Sequence, residues 1–114
     1  MKYAICNETF QEWPFEKAFA AAKNLGYDAL EFAPFTIDEN VFDISAARRA
    51  GVRQLADDHE LEIIGLHWLL AKTEGLYLTS PDADVRRQTA EYLAELARLC
   101  SDLGGYVMVL GSPQ

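Results

Sequence analysis

The apolar positions of this chain change their spacing repeatedly from one end to the other. Tyr3 to Asn7 is a short, nearly continuous apolar run and predicts a first strand. From Pro14 onward, Phe15, Ala18, Phe19, Ala22 and Leu25 recur at helical intervals, and Gly26 supplies a stop. "YDALEFA" then returns to strand character. Ser45 can cap a second helix with a buried stripe of Ala47, Ala50 or Gly51, Leu55 and Ala56, running to about His59. "ELEIIGLH" predicts a third strand. Ser80 and Pro81 open a third helix in which Val85, Thr89, Leu93, Leu96, Leu99 and Leu103 keep one face until Gly104-Gly105. "YVMVLGS" predicts a fourth strand buried on both faces.

The resulting order is β-α-β-α-β-α-β, an α/β pattern that gives a parallel sheet with right-handed crossovers. Two architectures use it, the open doubly wound sheet and the (β/α)₈ barrel. A doubly wound nucleotide site needs glycines in the first strand-to-helix turn so that the backbone can approach a phosphate. Here that turn is "NETFQEWP", without a glycine. The strand alternation adds a second clue. Ala29, Glu31 and Ala33 share one face of strand two, and Ile63, Gly65 and His67 one face of strand three, with Val107, Val109 and Gly111 as the matching set in strand four. Small residues with a polar side chain near each strand's C-terminal end suit a narrow barrel lumen with a site at its mouth.

Composition changes this picture in two respects. With 114 residues, 50% hydrophobic and 25% charged, the chain can build one core, so a single domain over residues 1–114 is expected. That length is small for covering both faces of a parallel sheet with helices. The net charge of −8, with basic residues scattered as pairs such as Arg48-Arg49 and Arg86-Arg87, excludes the concentrated positive footprint that nucleic acid requires. No run approaches a membrane span, and "MKYAICNETF" is too polar for a signal-peptide core, so a cytoplasmic protein without a membrane partner is expected. Cys6 and Cys100 stand inside apolar segments without paired spacing and are expected to be reduced packing residues.

Taken together, "YDALEFAPF", "LEIIGLHWLL", "GLYLTSPDADVRRQTAEYLAELARLCSDLGG" and "VMVLGSPQ" resemble the sugar isomerase/epimerase family with the xylose-isomerase-like TIM barrel. The resemblance runs along essentially the whole chain and matches the first half of that barrel. It implies a divalent metal, manganese, magnesium, cobalt or zinc, that activates a sugar carbon for proton transfer. It also implies that two glutamates, an aspartate and a histidine from strands five to eight hold the metal. The chain ends after strand four, so it is expected to bind no metal alone and to be incomplete for catalysis, leaving open whether it acts as an enzyme.

At the expected mouth, His67 and Trp68 end the third strand, where imidazole can hydrogen-bond a hydroxyl and an indole can wall a sugar pocket. Glu31 stands near the end of strand two, where a carboxylate must be paired or face a site. Asn7 and Glu8 follow strand one and are either substrate contacts or surface turn residues. Gly111, Ser112 and Gln114 follow strand four, and the glycine would let a ligand approach the backbone. His59 is expected to be exposed at a helix end. Asp38, Glu39 and Asp43 are expected to form a solvated loop.

The function expected is therefore a sugar or sugar-phosphate isomerase/epimerase-like protein that contributes pocket residues. Its open strand edges call for a homodimer or for the missing C-terminal half. The alternative is a non-catalytic half-barrel that serves as a binding or assembly module. A zinc-dependent apurinic endonuclease resembles the same superfamily and uses a histidine after the third strand, but its DNA substrate fits poorly with the negative charge.

Overall fold

The computed structural model describes residues 1–111. Four parallel strands, β1 (Ala4–Cys6), β2 (Ala29–Phe32), β3 (Glu62–His67) and β4 (Val107–Val109), lie in the order β1-β2-β3-β4. Helices α1 (Phe15–Asn24), α2 (Ala46–Asp58) and α3 (Ala83–Asp102) make the crossovers. This is the β-α-β-α-β-α-β order with a parallel sheet that the alternating periodicity predicts.

The sheet's two faces differ. Leu30, Phe32 and Leu66 are fully buried against the helices, where Phe15 and Phe19 meet the Phe32 ring edge-on at centroid distances of 5.6 and 5.9 Å. Burial of this kind stabilises by roughly 1.5–3 kcal/mol per large side chain. On the other face, Cys6 lies beside Glu31, Glu31 beside Gly65, Gly65 beside Val107, and His67 beside Val109.

An irregularity opposite Leu30 and Glu31 corrects the expected face of Ile63. Ile63 pairs with Leu30 and joins the helix-side core, Gly65 pairs with Glu31, and Ile64 is the extra residue between them. The bulge reverses the alternation within β3, so only Gly65 and His67 keep the face assigned to them. A side chain at Gly65 would overlap the Val107 carbonyl, which makes glycine the residue that lets β4 approach β3.

The helices follow their patterns with local corrections. Ser45 caps α2 by accepting from the Arg48 amide at 3.1 Å. The buried face of α2, however, is Arg49, Val52 and Ala56, with Ala47, Ala50 and Gly51 exposed. Arg49 was hidden from a hydrophobic pattern because its burial depends on partners far along the chain. Its guanidinium meets Glu95 at 2.8 Å and Asp102 at 2.9 Å, and its Nε donates to the Ile44 carbonyl.

Leu25 is 69% exposed because it sits at the C-cap of α1, where the chain turns away through Gly26 at φ 93°. Helix α3 starts two residues after Pro81, with Asp82 as its cap and Ser80 accepting from the Asp82 amide. His59 is partly buried: its Nδ1 lies 2.8 Å from the Leu55 carbonyl and its ring meets Phe19 edge-on.

Strand β4 departs most from expectation. Val107 and Val109 are 43% and 45% exposed, because β4 has a neighbour on one side only and nothing among the described residues covers that face. No described helix is long and apolar enough to cross a membrane.

Candidate functional site

Adjacent strands carry the site residues to one end. Cys6 ends β1, Glu31 lies one residue before the end of β2, and His67 ends β3. The Cys6 thiol donates to Glu31 Oε2 at 3.2 Å. One donor atom each from Cys6, Glu31 and His67 lie within 4.8 Å of one another. The Nε2 of His67 is buried and has no hydrogen-bond partner among the described residues. Burial first, then the hydrogen bond to Glu31 and the negative charges of Glu31 and Glu8, push the Cys6 thiol up to about 12. Cys6 is therefore a protonated thiol near neutral pH and a poor nucleophile.

Trp68, directly after the strand, takes φ 56°. That left-handed conformation is costly for a bulky residue, by about 1–3 kcal/mol, and is held here by surrounding contacts. It leaves the indole 51% exposed, stacked on His67 with centroids 6.4 Å apart and meeting Phe35 at 5.7 Å. Lys72 Nζ stands 5.9 Å from the centre of the Phe35 ring. Phe35, Trp68 and Lys72 thus form a wall beside the cluster.

Asn7 is not a surface turn residue. It is 4% exposed, its Oδ1 accepts from the Ala33 amide and its Nδ2 donates to Thr36 Oγ1, both at 2.9 Å, tying the ends of β1 and β2 together. Glu8 is half-buried and lines a cleft of about 460 Å³ with Trp13, Phe35 and Lys72. Neither this cleft nor a second of about 400 Å³ near Tyr92 is lined by Cys6, Glu31 or His67, which stand on the open face of the sheet. Gly111 is exposed, with open space around it. Ser112 and Gln114 lie outside the described residues. Asp38, Glu39 and Asp43 are exposed and join no three-residue metal-ligating cluster among the described residues.

The sequence reading missed Cys6, Phe35 and Lys72 as members of this end of the molecule. Cys6 had a legible signal: alternation through Ala4 and Cys6 places its side chain on the same face as Glu31.

A family model for the xylose isomerase-like TIM barrel matches residues 19–114. The chain belongs to the xylose isomerase-like TIM barrel family. Among solved structures, this barrel-family chain is similar to a crystal structure of D-psicose 3-epimerase in the presence of D-fructose, with a TM-score of 0.74 at 22% identity. The match covers 95% of this chain and 36% of the epimerase, so the chain spans about a third of that protein's length. No curated protein matches it.

Among the described residues, the metal-ligating cluster Cys6, Glu31 and His67 differs from the two glutamates, aspartate and histidine that the family resemblance implies. His67 is joined by one carboxylate and one thiol, and His59 is held at the C-terminus of α2, the opposite end of the βα layer. No chemical step through that metal follows from these residues.

Proposed function

We propose that this chain is the N-terminal half of a sugar isomerase/epimerase-like barrel and that the C-terminal ends of β1 to β3 contribute one wall of a pocket for a sugar or sugar phosphate. The observation that carries this reading is the gathering of Glu31 and His67 at one end of the sheet, under the exposed Trp68 indole. Barrels of this class place their sites at that end.

In the bound state, Trp68 packs against C–H faces of the ligand. His67 Nε2, which has no partner among the described residues, hydrogen-bonds a hydroxyl, and Glu31 accepts from a second. Glu8 and the Gly111 backbone extend the same rim, with Asn7 holding it in place. These residues bind and orient; the proton-transferring pair and the family's metal belong to the part of the barrel that β1 to β4 do not supply.

The exposed Val107 and Val109 and the open edges of β1 and β4 call for a second wall, from a second copy of the chain or from the C-terminal half of a longer one. Calorimetry with a panel of aldoses and ketoses tests the ligand class. The expected result is saturable binding of a sugar that falls at least tenfold in His67→Asn. No binding across the panel, or binding unchanged in that variant, would favour the rival assembly module.

A further inference from the structure

Three adjacent strands deliver a nitrogen, an oxygen and a sulfur donor to one point on the open face. Cys6 and Glu31 are partners in the β1–β2 register, and Glu31 faces Gly65 across the bulged β2–β3 pair. His67, two residues on, ends β3 at the same end of the sheet. The three donor atoms lie within 4.8 Å of one another. Tetrahedral zinc would draw such donors to separations of about 3.3–3.8 Å, so closing the set requires side-chain movement of about an ångström and no change of fold.

One feature points to a ligand. His67 Nε2 is buried without a partner among the described residues, which ordinarily costs a folded protein about 1–3 kcal/mol. The Cys6 thiol, 3.2 Å from Glu31 Oε2, holds a proton at the position where a cation would bind both atoms. The same contact argues against the other chemistry open to a cysteine beside a histidine. A carboxylate against the thiol suppresses the thiolate, so Cys6 is not poised for nucleophilic attack.

We propose that Cys6, Glu31 and His67 form a three-ligand site for a divalent transition metal, zinc in kind, whose fourth position opens onto the lumen. The mixed thiolate, imidazole and carboxylate set suits zinc or cobalt and is too soft for magnesium or calcium. On binding, the Cys6 S–H bond breaks, sulfur keeps the electron pair as the metal–sulfur bond forms, and the proton leaves to solvent. One thiolate and one carboxylate then neutralise the dication. An open fourth position is the arrangement of a metal that acts on a bound water or ligand, in contrast to a closed structural site. The site is drawn from the strand ends alone; with the metal bound, His67 and Glu31 are its ligands and a hydroxyl meets the open fourth position in place of them, so a chain that binds cobalt but no sugar keeps this proposal and loses the functional one.

The experiment is titration of the reduced, chelator-treated 114-residue chain with cobalt and then zinc. The expected result is one equivalent of cobalt with a near-ultraviolet thiolate-to-cobalt band that zinc abolishes. Cys6→Ser should lose the band, while Glu31→Gln and His67→Asn should bind at least tenfold more weakly with unchanged circular dichroism. Proton release on adding zinc to the wild-type chain requires no variant and should be about one per zinc. No stoichiometric cobalt, a band that survives Cys6→Ser, or zinc binding without proton release would overturn the proposal.

Discussion

The two faces of one sheet carry different kinds of information. On the helix side, Leu30, Phe32 and Leu66 are fully buried in the apolar core. On the lumen side the same strands present Cys6, Glu31 and His67, then two valines nearly half exposed on β4. One face holds the fold together through shape and apolar area. The other holds polar groups close together at some cost to stability, including a buried imidazole nitrogen without a partner among the described residues. Alternating side chains let a single strand serve both faces, and the bulge at Ile63 and Ile64 allows β3 to add a residue to the core without moving His67 off the lumen.

The largest expected effect is a difference between the faces. Phe32→Ala should destabilise by about 3–5 kcal/mol, because it removes a fully buried ring that two phenylalanines meet edge-on. Val109→Ala, on the other face, should cost about 1 kcal/mol or less. Denaturant unfolding of both variants measures the gap, and equal losses would mean that the lumen face is packed as tightly as the core.

The polar groups repeat this contrast. Arg49→Met removes a buried guanidinium that bridges Glu95 and Asp102 and satisfies the Ile44 carbonyl, and should cost about 3 kcal/mol. Arg87→Met breaks only exposed pairs with Asp84 and Glu91 and should change stability by about 0.5 kcal/mol or less.

How much of this was legible follows from the distance over which each feature is encoded. The helical stripe around Phe19 and the runs ending at Phe32 and His67 are local, and they yielded the element order, the parallel sheet and the end at which Glu31 and His67 meet. Arg49 was not legible, because its burial depends on acidic residues of α3 about fifty positions away. The bulge was not legible either, since it depends on pairing with β2 and not on the β3 sequence. Burial of β4 was overestimated because its β-branched composition suits a central strand, whereas its place in the sheet is an edge. For Cys6 the alternation through Ala4 marks the face of the side chain, whereas the Glu31 carboxylate it meets comes from the next strand and is set by the β1–β2 register.

A smaller effect lies at the junction of the faces. Gly65→Ala puts a methyl group into the Val107 carbonyl and should cost about 1–3 kcal/mol. Hydrogen exchange should show faster exchange at β4, including the Tyr106 amide that bonds to the Ile64 carbonyl, while α1 stays protected.

The smallest concerns the thiol. Cys6 is pushed from its ordinary 9.0 to about 12, so the folded state holds this proton more tightly than the unfolded chain. Its contribution to stability is present below about pH 9 and is lost as pH rises toward about 12. Alkylation of Cys6 against pH should have its midpoint well above 9, and Glu31→Gln should lower that midpoint by removing a hydrogen bond and a negative charge.

Division of labour between the two faces is tested most directly by amide chemical shifts of the 114-residue chain during titration with a ketohexose such as D-fructose. The account predicts saturable changes grouped at the ends of β1, β2 and β3, around Cys6, Glu31, His67 and Trp68, with the helix-side core around Leu66 and Leu96 unmoved. Changes centred on the helices, or none at sugar concentrations that saturate ordinary carbohydrate sites, would contradict it.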